Sequence, residues 1–262
     1  MKKITTLFIL SLFIFSCEKS EKKEATETPT ITEAIEQEPT KPEETEIWEP
    51  KPATVTPGKN NAAPSDAIVL FDGKNLDEWI SAKDSTAAKW HLNKDGSITV
   101  NRGSGDIQTK QNFGSVQLHI EWKSPSDIKN EGQHRGNSGV FLQKRYEVQV
   151  LDNNNNETYS NGQVASIYKQ SIPLAKASAP TGEWNTYDII YHAPEFDADG
   201  NKTKSATITV LHNGILVQDH YELKGTTEYI GWPKNVAHGD GPIVLQDHDS
   251  DVSYRNIWLR KL

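Results

Sequence analysis

The chain has 262 residues, with 28 Lys and Arg against 36 Asp and Glu for a net charge of -8, seven Trp and a single Cys. No Lys/Arg cluster is present to neutralise a phosphate backbone, which argues against a nucleic-acid partner. One cysteine, Cys17, excludes an intrachain disulfide framework and any cysteine-based zinc or iron–sulfur site, so stability has to come from burial.

Residues 1–16 read as an export signal. Lys2 and Lys3 precede an apolar run from Leu7 to Phe15 that is broken only by Ser11. The run is too short to span a bilayer, which takes about 20 apolar residues. Ser16 directly before Cys17 resembles the lipobox of bacterial lipoproteins, although Phe15 is bulky for that motif. The expectation is a lipidated Cys17 and a membrane-anchored lipoprotein, facing the periplasm or the cell surface of a bacterium.

Residues 17–65 hold the lipidated Cys and then a segment rich in Glu, Thr, Pro and Lys, with eleven Glu against six Lys and Trp48 as the one aromatic residue. Such a composition buries too little apolar surface to offset its ordering entropy, which predicts a disordered tether. Its reach is about 40 Å by the flexible-chain relation.

From residue 66 to 262 the pattern changes to short alternating runs. Ser97–Val100, Val116–Trp122, Tyr146–Val150, Thr186–Tyr191 and Ala206–Leu211 have the period of two expected of half-buried strands. Asp95-Gly96 and Asn213-Gly214 are hairpin dipeptides, and Asn75 to Trp79 reads as a turn. Many short strands without internal repeats predict one all-β domain, a jelly-roll β-sandwich.

Alternation then sorts the polar residues. Val148 and Val150 share one face, which puts Glu147 and Gln149 on the other; Ile243 and Leu245 likewise leave Gln246 and His248 opposite. His119 and Glu121 stand opposite Leu118, Ile120 and Trp122 by the same rule. Mid-strand polar residues on a non-core face are commonly just solvated. The run Gln133 to Gly139 is polar and glycine-rich, and Arg135 and Asn137 offer planar hydrogen-bonding forks to a sugar. Trp184, with Glu183 and Asn185 beside it, could stack on a sugar face or simply join the core. Gly136-Asn137-Ser138-Gly139 lacks the Gly-x-Ser-x-Gly elbow and its αβ context, so Ser138 is not expected to be a nucleophile. Metal signals are weak: Asp197-x-Asp199-x-Asn201 opens like a calcium loop but misplaces its Gly.

Several of these segments together resemble the 3-keto-disaccharide hydrolase domain. They are Val69 to Trp79, Asn137 to Leu142, Tyr146 to Asp152, Gly182 to Asp188, and Leu245 to His248 with Arg255 to Trp258, in collinear order over residues 66–262. The resemblance implies a concanavalin A-like, glucanase-type sandwich and cleavage of glycosides already oxidised to a ketone at sugar C3. It carries Asn137, Ser138, Glu147, Gln149, Glu183, Trp184, Gln246, His248 and Arg255 into the expected site. Asp249 stands where many relatives have Gly, which bears on the turn there.

A C3 ketone acidifies the C2 hydrogen, so this chemistry needs a positioned base and donors for an enolate oxygen. Glu147 or His248 is expected to be the base and the other its acid partner. Gln149, Gln246 and Arg255 would hold hydroxyls or the enolate, with Arg135, Asn137, Ser138, Glu183 and Trp184 binding substrate. No cofactor is expected; a divalent ion could replace those donors, but the sequence shows no ligand set for one. Two alternatives remain open. One is a two-carboxylate glycosidase, with Glu121 or Glu183 partnering Glu147; the other is a carbohydrate-binding lipoprotein without turnover.

Overall fold

The computed structural model describes residues 38–262. The export signal and Cys17 lie outside the described residues. The chain divides into two compact units, residues 1–52 and 53–262. Among the described residues of the first, 38–52, there is a single 3-10 turn, Pro42–Thr45, with no buried residue. Among the described residues no helix is long and apolar enough to cross a membrane.

The second unit is built from fifteen short strands: β1 (Ile68–Phe71), β2 (Trp79–Ser81), β3 (His91–Leu92), β4 (Ile98–Thr99), β5 (Ile107–Thr109), β6 (Val116–Lys123), β7 (Ser138–Leu142), β8 (Tyr146–Val150), β9 (Asn185–His192), β10 (Glu195–Phe196), β11 (Lys202–Lys204), β12 (Thr207–His212), β13 (Ile215–Glu222), β14 (Val244–Leu245) and β15 (Ser253–Lys261). An eight-stranded sheet runs β13-β12-β9-β6-β15-β4-β3, with β1 also paired to β15; a five-stranded sheet runs β2-β5-β14-β7-β8. The all-β sandwich expected of a jelly roll is the fold the chain adopts.

The expected turns form for the expected reasons. Asn213 and Gly214 both hold positive φ, 52° and 78°, and close the β12–β13 hairpin. At the turn before β2, Asn75 Oδ1 accepts the Asp77 N–H. Of the alternating stretch from Ile243 to His248, only Val244–Leu245 is a regular strand. Beyond it Asp247 bends the backbone by accepting the N–H of Asp249, which sits in the left-handed region at φ 57°. Gly favours that region, and Asp tolerates it better than most residues do.

Residues 53–65, expected as part of the tether, belong to the second compact unit. This segment is held by polar clasps in place of apolar burial: the Asn61 carbonyl accepts from both Asn256 Nδ2 and Trp258 Nε1 at 2.9 Å.

Core faces follow the alternation. Leu118, Ile120, Trp122, Tyr187, Ile189 and Tyr191 of the large sheet are buried in one apolar cluster with Val140, Leu142, Val148, Val150 and Leu245 of the small one. Three tyrosine hydroxyls bridge the sheets through this core. Tyr187 donates to the Gln149 carbonyl at 2.7 Å, Tyr191 to Gln143 Oε1 at 2.6 Å and Tyr254 to Ser138 Oγ at 2.6 Å. Each satisfies a buried polar group that would otherwise be costly to leave unpaired.

Candidate active site

The outer face of the small sheet carries the site. In the β7–β8 pairing Phe141 faces Glu147 and Gly139 faces Gln149, while β14 lies against β7 with Val244 beside Phe141. One residue beyond β14, the Gln246 N–H continues the ladder to the Gly139 carbonyl. Counting alternate positions outward from these pairs puts Asn137, Gly139, Phe141, Glu147, Gln149, Gln246 and His248 on one side. A cavity of about 230 Å³ opens there, lined by Asn137, Phe141, Glu147, Gln149, Gln246 and His248. Thr227, Tyr168 and Tyr229 from two loops complete its wall.

Glu147 lies at the floor and is 5% exposed. Its backbone N–H donates to Thr227 Oγ1 at 3.0 Å, but its carboxyl group accepts no hydrogen bond from any described residue. Burial, with the negative charge of Asp106 added to it, pushes the Glu147 carboxyl up to about 8. Gly139 is needed here for space: a Cβ at that position would stand 2.6 Å from Glu147 Oε1.

Three amide side chains, Asn137, Gln149 and Gln246, line the cavity with Glu147. Asn137 Nδ2 donates to the Gln133 carbonyl at 2.6 Å, and Gln149 Nε2 reaches Gln133 Oε1 at 3.2 Å. Gln149 Oε1 and Gln246 Oε1 are buried and have no partner. Two unpartnered amide oxygens in one cavity are matched by a ligand rich in hydroxyl donors. His248 is exposed at the rim, 6.5 Å between ring centroids from the also exposed His134.

Asp106 tunes this floor from beside it. Its Oδ1 accepts the Asp247 N–H at 2.8 Å, which fixes the backbone between Gln246 and His248. Burial, opposed by that hydrogen bond, leaves its own carboxyl above the usual range. Asp106→Asn keeps an acceptor for Asp247 but removes the charge that Glu147 feels. The Glu147 pKa should therefore fall, and the ascending limb of the pH–rate profile should move to lower pH by less than about one unit, burial being the larger cause. A profile measured from pH 5 to 10 on both proteins checks this.

Other expected site residues lie elsewhere. Ser138 points into the core, where it accepts from Tyr254 and donates to the Gln246 carbonyl at 2.6 Å, so it braces the strand from beneath and does not line the cavity. Arg135 is turned back on its own loop; its Nη1 donates to the Ile128 and Asn130 carbonyls and its Nη2 lies 3.7 Å from Asp152. Arg255 sits on β15 of the other sheet, bonded to Glu121 at 2.6 Å, and its guanidinium stacks 4.1 Å over Trp184. Lys123 lies over the same ring at 4.7 Å, and Trp184 does not line the cavity. Glu183 is exposed and does not line the cavity. Neither Glu121 nor Glu183 stands beside Glu147 as a second carboxylate.

Sequence reasoning missed Phe141, Tyr168, Thr227, Tyr229 and Asp106. Phe141 was hidden in the apolar run Val140-Phe141-Leu142, and the others arrive by long-range loop contacts that no local pattern marks. Among the described residues no group of three or more His, Cys, Asp or Glu side chains is placed to hold a metal ion.

Comparison with known proteins follows this geometry. A crystal structure of a Parabacteroides distasonis protein, provisionally described as a glycosyl hydrolase, shares 55% identity and superposes with a TM-score of 0.82, covering 85% of this chain and 97% of that one. A second crystal structure from that organism, at 21% identity and a TM-score of 0.57, covers 75% of this chain and 94% of the other and shares the fold. A Bacteroides thetaiotaomicron protein named 3-keto-disaccharide hydrolase is 26% identical over 246 residues, which span 74% of this chain and 78% of that protein. Residues 66–260 match the 3-keto-alpha-glucoside-1,2-lyase-like domain, and the chain belongs to that family.

Proposed function

We propose that this chain is an exported, lipid-anchored enzyme that cleaves 3-keto-glycosides, with Glu147 as the base. The observation that carries the reading is the buried Glu147 carboxyl group, pushed up to about 8, in a cavity of one-sugar size that it shares with the amides of Asn137, Gln149 and Gln246, two of whose oxygens are buried without a partner. A carboxylate kept from water and hydrogen bonds is a stronger base than a solvated one, which suits removal of a proton next to a ketone.

In this reading Glu147 takes the C2 hydrogen, and the electrons of that bond form the enolate, with its charge on the C3 oxygen. The Gln246 amide donates to that oxygen, with the Asn137 and Gln149 groups on neighbouring hydroxyls. The enolate collapses, C3 regains its carbonyl, a C1–C2 double bond forms and the bond from C1 to the leaving oxygen breaks. His248 at the rim protonates that oxygen. Water then adds its hydroxyl at C1 and a proton at C2, so one glycoside and one water give a 3-keto sugar and a free alcohol.

The family membership and the name carried by the Bacteroides thetaiotaomicron relative support the substrate class. Lys2, Lys3, the following apolar run and Cys17 support the export and lipid anchoring. The deciding experiment incubates the protein with matched native and 3-oxidised disaccharides and follows release by NMR. Cleavage of the oxidised sugar alone is the expected result. Cleavage of the native sugar would make this an ordinary glycosidase, and binding without release would make it a lectin.

A further inference from the structure

The cavity at Glu147 has room for about one sugar ring, at about 230 Å³ against the roughly 300–1,000 Å³ of sites that enclose larger ligands. A glycoside with a ring on both sides of the bond to be broken must therefore place its second ring outside. A neighbouring hollow of about 390 Å³ shares Tyr168 with the catalytic cavity and is lined further by Tyr159, Lys169, Glu228 and Trp232. Tyr229, on the catalytic cavity's wall, stands between the two, 4.5 Å from Lys169 Nζ at its ring centroid. The hollow formed by Arg102, Asp127 and Asp249 shares no lining residue with the catalytic cavity.

Trp232 in this hollow and Tyr229 beside it are largely exposed, with Lys169 Nζ lying over the Tyr229 ring at 4.5 Å and over Tyr168 and Tyr159 at 5.6 and 5.8 Å. Trp232 is 88% and Tyr229 73% exposed, an arrangement that costs free energy in water unless a ligand covers them. Their loop is held at its base, where the Thr226 N–H donates to the Lys234 carbonyl and Lys234 pairs with Glu228 at 3.4 Å. Lys169 Nζ donates to the Tyr229 carbonyl at 2.6 Å, and the Tyr159 and Tyr168 hydroxyls bond to each other at 2.6 Å. The shelf is thus preformed. Aromatic faces are electron-rich, so they attract the C–H face of a pyranose, and the ammonium, carboxylate and amide groups of Lys169, Glu228 and Asn161 around them suit ring hydroxyls.

We infer that Tyr229 and Trp232, with Tyr159 and Tyr168 behind them, form the subsite for the leaving group, and that its occupant is a second pyranose. The inference rests on the proposed 3-keto-glycoside cleavage and adds what that reading leaves open, the side of the cleft on which the departing alcohol lies and the residues that select it.

The test compares the full-length protein with Trp232→Ala, an exposed position where folding is not at stake, on a 3-keto-disaccharide and on methyl 3-keto-glucoside. The variant should lose about tenfold in kcat/KM on the disaccharide, mainly through KM, and nothing on the methyl glycoside. Equal losses on both, or no loss on either, would overturn the subsite. A 3-keto phenyl glucoside distinguishes the occupants: a loss there as large as with the disaccharide means that the shelf selects any flat ring and that the sugar assignment is wrong. Saturation-transfer NMR with the unoxidised disaccharide gives a readout without turnover. If wild-type protein cleaves none of the three, the proposed function falls, and contact with the sugar that disappears in Trp232→Ala still decides the subsite on its own.

Discussion

Glu147→Gln should lose about 10²- to 10⁴-fold in kcat/KM on a 3-keto-glycoside and at the same time melt at a higher temperature than wild type at pH 8. The two effects have one cause. In the folded chain the carboxyl group holds its proton up to about 8, whereas in the unfolded chain it releases it near the ordinary glutamate value of about 4.5. Across that window the unfolded state binds fewer protons, so stability falls as pH rises from about 4.5 through about 8. The accumulated cost is on the order of 3 kcal/mol at pH 7. Glutamine keeps the shape, cannot ionise and escapes the cost. Thermal melts of both proteins at pH 4.5, 7 and 8.5, beside initial rates, check the pair of claims. Equal melting curves at every pH would show that the group is not held neutral, and an unchanged rate would place the base elsewhere.

The second large effect lies on the other sheet and should leave chemistry alone. His119, 2% exposed, holds Asp188 Oδ1 at 2.7 Å and has its other ring nitrogen 3.7 Å from Glu121; Glu121 in turn binds Arg255 and accepts from Asn256 Nδ2 at 2.8 Å. Trp258 stacks on the imidazole at 5.0 Å. Burial opposes the charge on His119, yet the hydrogen bond to Asp188 and the nearby carboxylate of Glu121 prevail and carry it up to about 9. Burial likewise opposes the charge on Glu121, and His119, Asn256 and Arg255 bring it down to about 2.

Glu121→Ala takes a carboxylate from the imidazolium and the guanidinium and leaves Asp188 as the partner of His119, a loss of about 1–3 kcal/mol. Turnover per folded molecule should stay at the wild-type value. For His119 the raised folded value means that its contribution is complete below about 6.5 and is lost as pH rises through about 9. For Glu121 the lowered value means that its contribution is complete above about 4.5 and is lost as pH falls through about 2. Urea unfolding should therefore show the gap between variant and wild type widest from about pH 4.5 to 6.5 and narrowing towards pH 10. A constant gap at every pH would mean that the cluster acts by packing alone.

Alternation was the part of this architecture that the chain announces locally. Val148 and Val150 point one way, so Glu147 and Gln149 had to point the other, and they do so because the β8 side chains obey the pleat. Which strands become neighbours is a different kind of information. β14 joins β7 and β8 across about a hundred residues of sequence, and that pairing, settled by burial of Leu245 and Val140 together, brings Gln246 and His248 to Glu147. The same rule put His119 and Glu121 off the core, but they are buried nevertheless. An irregularity in β15 between Arg255 and Trp258 lets Arg255, Asn256 and Trp258 all cover that outer face. Family resemblance carried Arg255 and Trp184 into the site as motif positions; geometry makes them partners of Glu121 and of each other.

Because Tyr187 grips the carbonyl of Gln149, and Tyr254 grips Ser138, which grips the carbonyl of Gln246, the sheet that carries the Glu147 cavity is tied against sliding over the layer behind it. The interior thereby serves as a jig for the reaction. An alteration at these phenols, in the depths of the protein and far from any sugar, would be felt first as misaligned amides above it.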